Sequence, residues 1–173
     1  DIVILAAGKG TRMQSALPKV LHPLAGRPML AHVLAAADSV ANANKIVVTG
    51  HGAAQVESAV ADTGSIFAQQ TEQLGTAHAV QMAVPHLRAE AKVLILYGVV
   101  PLISPTTIDQ MLTAVTDTTI SLLTIELDNP MGYGRIVRNS QGEIESIVEQ
   151  KDASSEQLNI NEINTGVMAL GAG

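Results

Sequence analysis

"DIVILAAGKGTRMQSALPKVL", residues 1–21, runs from an apolar stretch straight into glycines and cationic side chains. "IVILA" (2–6) is apolar without alternation, which is the pattern of a strand buried on both faces. The stretch after it carries Gly8 and Gly10, then Arg12 and Lys19. A buried strand followed by such a loop points to an open α/β sheet, where ligands bind outside the carboxyl ends of the strands. Glycine lets a backbone turn tightly and bring its N–H groups up to an anion. Arg12 offers a fork of donors to phosphate oxygens, and Lys19 a compact point charge.

The rest of the chain supports that architecture. Outward from the opening, helical spacing over 28–40 is followed by a strand at 45–50, a helix at 53–63 and a strand at 65–69. A helix is expected over 75–87, with Thr76 as its cap, then a strong strand over 92–98 and a helix over 106–117 after Ser104-Pro105. Beyond residue 118 the pattern becomes strands joined by turns, at 118–126, 134–139, 143–150 and 164–170. The expected fold class is α/β: a Rossmann-like, doubly wound, mostly parallel sheet with helices on both faces. The chain is expected to form one domain that stops short of its final elements, because such domains close with more structure than follows 164–170.

Composition narrows the functions. Apolar residues make up 47 % of the 173 positions, enough for an aliphatic core, and there is no Cys for disulfide or thiolate chemistry. A net charge of -6 argues against a general nucleic-acid or anionic-membrane surface. No apolar run is long enough to span a membrane, and nothing reads as a signal peptide, so a cytoplasmic location is expected. Yet four of the ten basic residues, Lys9, Arg12, Lys19 and Arg27, lie in the first 27 positions, where Asp1 is the only acid. A locally positive loop on an acidic chain suits a small anionic ligand. The Walker phosphate pattern is absent, and the dinucleotide pattern fails at Met13, where its last glycine would stand.

The longer string is more specific. "LAAGKGTRM" (5–13) and "PKVLHPLAGRPML" (18–30) resemble the signature of sugar-phosphate nucleotidylyltransferases. "QQTEQLGTAHAV" (69–80), "LYGVVPLI" (96–103), "GYGRIVR" (132–138), "IVEQKDA" (147–153) and "EINTGV" (162–167) follow in order. Together they resemble the amino-terminal uridylyltransferase half of the bacterial bifunctional N-acetylglucosamine-1-phosphate uridylyltransferase / glucosamine-1-phosphate acetyltransferases.

That resemblance implies transfer of uridylyl from UTP to N-acetylglucosamine 1-phosphate, giving UDP-N-acetylglucosamine and pyrophosphate for cell-wall and envelope polysaccharide. It implies Arg12 and Lys19 as the catalytic cations, with Leu5, Ala6, Ala7 and Gly8 on the uridine side. Gln70 would bond the uracil edge beside Gly75 and Thr76, and Tyr97 and Gly98 would end the strong strand at the site. Gly134, Glu149 and Asn164 would meet the sugar. It implies magnesium as cofactor, but the family's metal-ligand Asp is Val99 here, and a second ligand, an Asn, falls beyond residue 173. Neither Asp109 nor Glu72 has a motif-based claim to replace the Asp, so no metal ligand is assigned. The family trimer forms through the acetyltransferase half, none of which lies in this chain, so this piece is expected to be a monomer. The alternatives are a non-catalytic UDP-sugar binding module and a related nucleotidylyltransferase with another base or sugar. His22, His32, His51, His78 and His86 are read as structural or surface residues.

Overall fold

The computed structural model describes residues 1–10 and 13–171. These fall into two compact units, residues 1–121 with 168–173, and residues 122–167.

The first unit is built on four parallel strands, β1 (Ile2–Leu5), β4 (Lys45–Thr49), β5 (Ile66–Gln69) and β6 (Lys92–Tyr97), in the order β5-β4-β1-β6. β1 sits at the centre, paired on one side with β4 and on the other with β6. β5 pairs with β4. A short hairpin, β2 (Pro23–Leu24) and β3 (Arg27–Pro28), follows the opening loop. All four residues of β1 are buried, which requires cover on both faces of the sheet. One face carries Val3, Leu5, Ile46, Val48, Val93 and Ile95, packed against Ala79 and Ala83 of helix α3 (Thr76–Ala83). Two alanines one turn apart give that helix a smooth stripe and let it lie close to the sheet. The opposite face, Ile2, Ile4, Val47, Leu94 and Leu96, is buried as well. Helix α4 (Pro105–Ala114) lies against β6 and touches helix α1 (Met29–Ala37). Leu30, Val33, Leu34 and Ala37 make the buried face of α1 at helical spacing. Each fully buried Ile or Leu contributes about 1.5–3 kcal/mol, so β1 and its neighbours anchor the unit. Helix α2 (Ala53–Ala59) is shorter than the stretch 53–63 expected from its pattern, and a turn of 3-10 helix takes up 61–63.

The second unit holds all but the first residue of β7 (Ser121–Glu126), with β8 (Arg135–Arg138), β9 (Ile144–Val148) and the first residues of β10 (Glu162–Gly171). β8 pairs antiparallel with β9, and Arg135 stands opposite Ile163 of β10. In the first unit, residues 168–171 of β10 pair antiparallel with β6. The sheet architecture is thus the mostly parallel α/β one that the sequence implied, with an antiparallel return.

Candidate functional site

The loop after β1 forms at the carboxyl ends of the parallel strands, held there by backbone hydrogen bonds to its neighbours. Ala6 N donates to Val48 O at 2.8 Å, and Gly98 N donates to Leu5 O at 2.9 Å. A cavity of about 420 Å³ opens on this edge, a size suited to a small organic ligand. Of the predicted residues, Leu5, Ala6, Ala7, Gly8, Lys19, Gln70, Gly75, Thr76 and Tyr97 line it together. Gly10, Met13, Val20, Gln73, Ala79 and Val99 are the other described residues of the lining.

Among the described residues, Lys19 is the only charged one of that lining. It begins a turn of 3-10 helix, Lys19–Leu21, whose Val20 and Leu21 are buried and pin it from below. No carboxylate pairs with Lys19 among the described residues, so its charge is free to meet an anion. Arg12, the other predicted cation, lies outside the described residues.

The base side is more tightly built. Gln70 follows β5, is 3 % exposed, and donates its backbone N–H to Thr49 O at 2.7 Å. Gly75, not Thr76, is the N-cap of α3, and no side chain caps that helix. Gly75 has φ 103° and ψ -179°, a conformation open essentially to glycine alone. Its carbonyl accepts from Ala79 N and from Gln70 Nε2, both at 3.1 Å. His78 Nδ1 lies 3.0 Å from the same Nε2. Scattered histidines gave no hint of this contact in the sequence, where His78 reads as structural or surface.

Gly98 is not part of the lining. A β-carbon there would come within 3.1 Å of Val20, 3.2 Å of Leu30 and 3.3 Å of Leu5 O, so this glycine serves close packing beneath the loop. Its neighbour Val99 does face the cavity.

The predicted sugar-side residues assemble in the second unit. Asn164 N donates to Gly134 O at 2.9 Å, and the position a β-carbon would take on Gly134 lies 3.4 Å from Glu149 Oε1. Asn164 Oδ1 accepts from Gly166 N at 2.8 Å, which fixes the amide's direction. Buried Arg135 braces the same turn, donating to Tyr133 O and Gln150 Oε1, while Gln150 Oε1 also accepts from Gly132 N.

The donor set bears on magnesium. This ion takes oxygen ligands and is held in nucleotide sites through one or two carboxylates plus substrate phosphates. The lining contains no Asp or Glu among the described residues, and the position expected to supply one holds Val99. Among the described residues no three acidic, His or Cys side chains gather to hold a metal. Asp109 is exposed on α4 and Glu72 is exposed outside the lining. The described residues therefore do not fit a protein-held magnesium ion at this cavity.

Comparison with known proteins agrees with the fold. A family model, the MobA-like NTP transferase domain, matches residues 2–154. The chain is 55 % identical over 172 residues to a protein of Cellvibrio japonicus called "Bifunctional protein GlmU", covering 99 % of this chain and 38 % of that one. A protein of the same name from Burkholderia vietnamiensis is 56 % identical over 168 residues, covering 97 % of this chain and 37 % of its own. The chain thus spans little more than a third of the length of these relatives. Among solved structures, the inositol-1-phosphate CTP transferase from T. maritima superposes with a TM-score of 0.77 at 19 % identity, covering 98 % of this chain and 69 % of that chain.

Proposed function

The chain belongs to the MobA-like NTP transferase domain family, and on that premise we propose that it transfers uridylyl from UTP to N-acetylglucosamine 1-phosphate, releasing pyrophosphate. The observation that carries this reading is that one cavity holds both Lys19, a cation with no carboxylate partner among the described residues, and a buried amide, Gln70. The cation suits a polyphosphate. The amide suits a base edge, because a wrong base leaves buried donors or acceptors unpaired.

The chemistry asks little else of the protein. An oxygen of the sugar phosphate is already anionic and needs no general base. It forms a bond to the α-phosphorus of UTP while the bond from that phosphorus to the bridging oxygen breaks. The electron pair leaves on pyrophosphate. Positioning and charge neutralisation are what a protein supplies to such a transfer. In this reading Lys19 and Arg12 neutralise the phosphates, and Leu5, Ala6, Ala7 and Gly8 pack the uridine. Gly134, Glu149 and Asn164 receive the sugar hydroxyls and acetamido group. The substrates in this reading are two small anionic molecules.

Val99 favours a second reading, a UDP-sugar binding module without turnover. The cavity wall offers a valine where the resemblance leads one to expect a metal-binding carboxylate. The experiment is pyrophosphate release from UTP and N-acetylglucosamine 1-phosphate with magnesium, for the protein as encoded and for Val99→Asp. The proposed function requires Val99→Asp to turn over, and the original is expected to be slower by about 100-fold or more. Equal rates would show that position 99 is not where the metal is held. Binding of UDP-N-acetylglucosamine without turnover by either protein would favour the binding module.

A further inference from the structure

The Gln70 side chain has a fixed direction, and the direction has a chemical meaning. Its amide carries two N–H donors and one carbonyl acceptor. Gly75 O can only accept, so the atom 3.1 Å from it is the nitrogen. The second N–H then points to His78 Nδ1 at 3.0 Å, and that ring nitrogen must be the bare one. The imidazole that accepts here carries its proton on Nε2. Both hydrogens of the amide are spent. Gln70 Oε1 has no hydrogen-bond partner among the described residues, on a side chain that is 3 % exposed and lines the cavity.

We propose that His78 is a positioning residue that sets base selectivity by holding the Gln70 amide with its carbonyl oxygen toward the ligand. The proposal rests on the reading of this cavity as a uridine nucleotide site. An oxygen acceptor matches a pyrimidine whose ring N3 carries hydrogen, as uracil does. Cytosine presents a lone pair at N3, so the same oxygen faces it with repulsion. Turning the amide over would reverse the preference. Turned over, Oε1 would oppose the lone pairs of Gly75 O and would meet His78 favourably only after the imidazole moved its proton to Nδ1, so the carbonyl and the Nε2-protonated ring together favour the observed direction. His78 supplies its part of that bias from the first turn of α3, eight residues from Gln70.

Dissociation constants for UTP and CTP, measured by calorimetry, test this on the protein as encoded, His78→Leu and His78→Asn. Leucine fills space without an acceptor. Asparagine places Oδ1 where Nδ1 stood. The protein as encoded is expected to prefer UTP. His78→Leu should reduce the UTP:CTP preference by about tenfold, the worth of one orienting hydrogen bond, while His78→Asn keeps most of it. Parallel weakening of both nucleotides by His78→Leu, with the ratio unchanged, is what a merely structural histidine would give and overturns the inference. Equal loss of preference in both variants also overturns it. If the protein as encoded already binds CTP as tightly as UTP, the uridine reading itself fails, and this inference with it.

Discussion

The α-carbon of Gly10 backs onto Lys19, and a β-carbon added there would lie 2.8 Å from Lys19 Cβ. No real pair of carbons sits so close, and the neighbour is the root of the lysine side chain rather than its flexible tip. Gly10 also has φ 59°, in the left-handed region. The glycine thus makes room for the cation that the site depends on. Gly10→Ala should push Lys19 out of place and weaken UTP binding by about tenfold, alongside a strain cost of about 1–3 kcal/mol in stability. Calorimetry and denaturant unfolding on the same protein separate the two effects. Unaltered UTP affinity would mean that Lys19 does not contact the phosphates.

Arg138 and Glu162 form a two-pronged ion pair in the second unit, with Nε to Oε2 at 2.8 Å and Nη2 to Oε1 at 2.7 Å. The hydrogen bonds from Arg138 hold the Glu162 carboxyl down at about 2. A carboxyl whose folded value lies below its unfolded one stabilises the fold above the ordinary glutamate range. That contribution fades as pH falls from about 4.3 toward 2. Glu162→Gln should therefore be less stable than the unchanged protein near neutrality, and the gap should close with acidification. Unfolding curves over that pH range give the answer, and a gap that persists at the acid end would contradict the assignment. Added salt should narrow it as well, because Arg138 is partly exposed.

Ser104 caps helix α4, its Oγ accepting from Thr107 N at 3.0 Å with Pro105 at the first helical position. Ser104→Ala should cost about 1 kcal/mol of stability and leave UTP affinity unchanged. Chemical denaturation measures the first and calorimetry the second.

The sheet was legible because β1, β4 and β6 are buried on both faces and so read as unbroken apolar runs. Helix ends were less legible. The pattern over 75–87 predicts one helix, but α3 stops at Ala83 and a 3-10 turn containing Pro85 follows. Proline has no N–H to continue the ladder. The strand expected from residue 118 begins at Ser121, because the hydroxyls of Thr116 and Thr119 bond to each other and close a local turn instead. The cavity's cation was visible as a cluster of basic residues in an acidic chain. The contact of Gln70 with His78 was not, since a polar contact across a loop leaves no periodicity in the sequence.

The cavity holding Lys19 and Gln70 as the UTP site is tested by the dissociation constant for UTP in the protein as encoded, Lys19→Met and Gln70→Leu. The unchanged protein should bind UTP, and each substitution should weaken binding by about tenfold or more. Failure of the unchanged protein to bind UTP, or full affinity in both variants, would contradict that assignment.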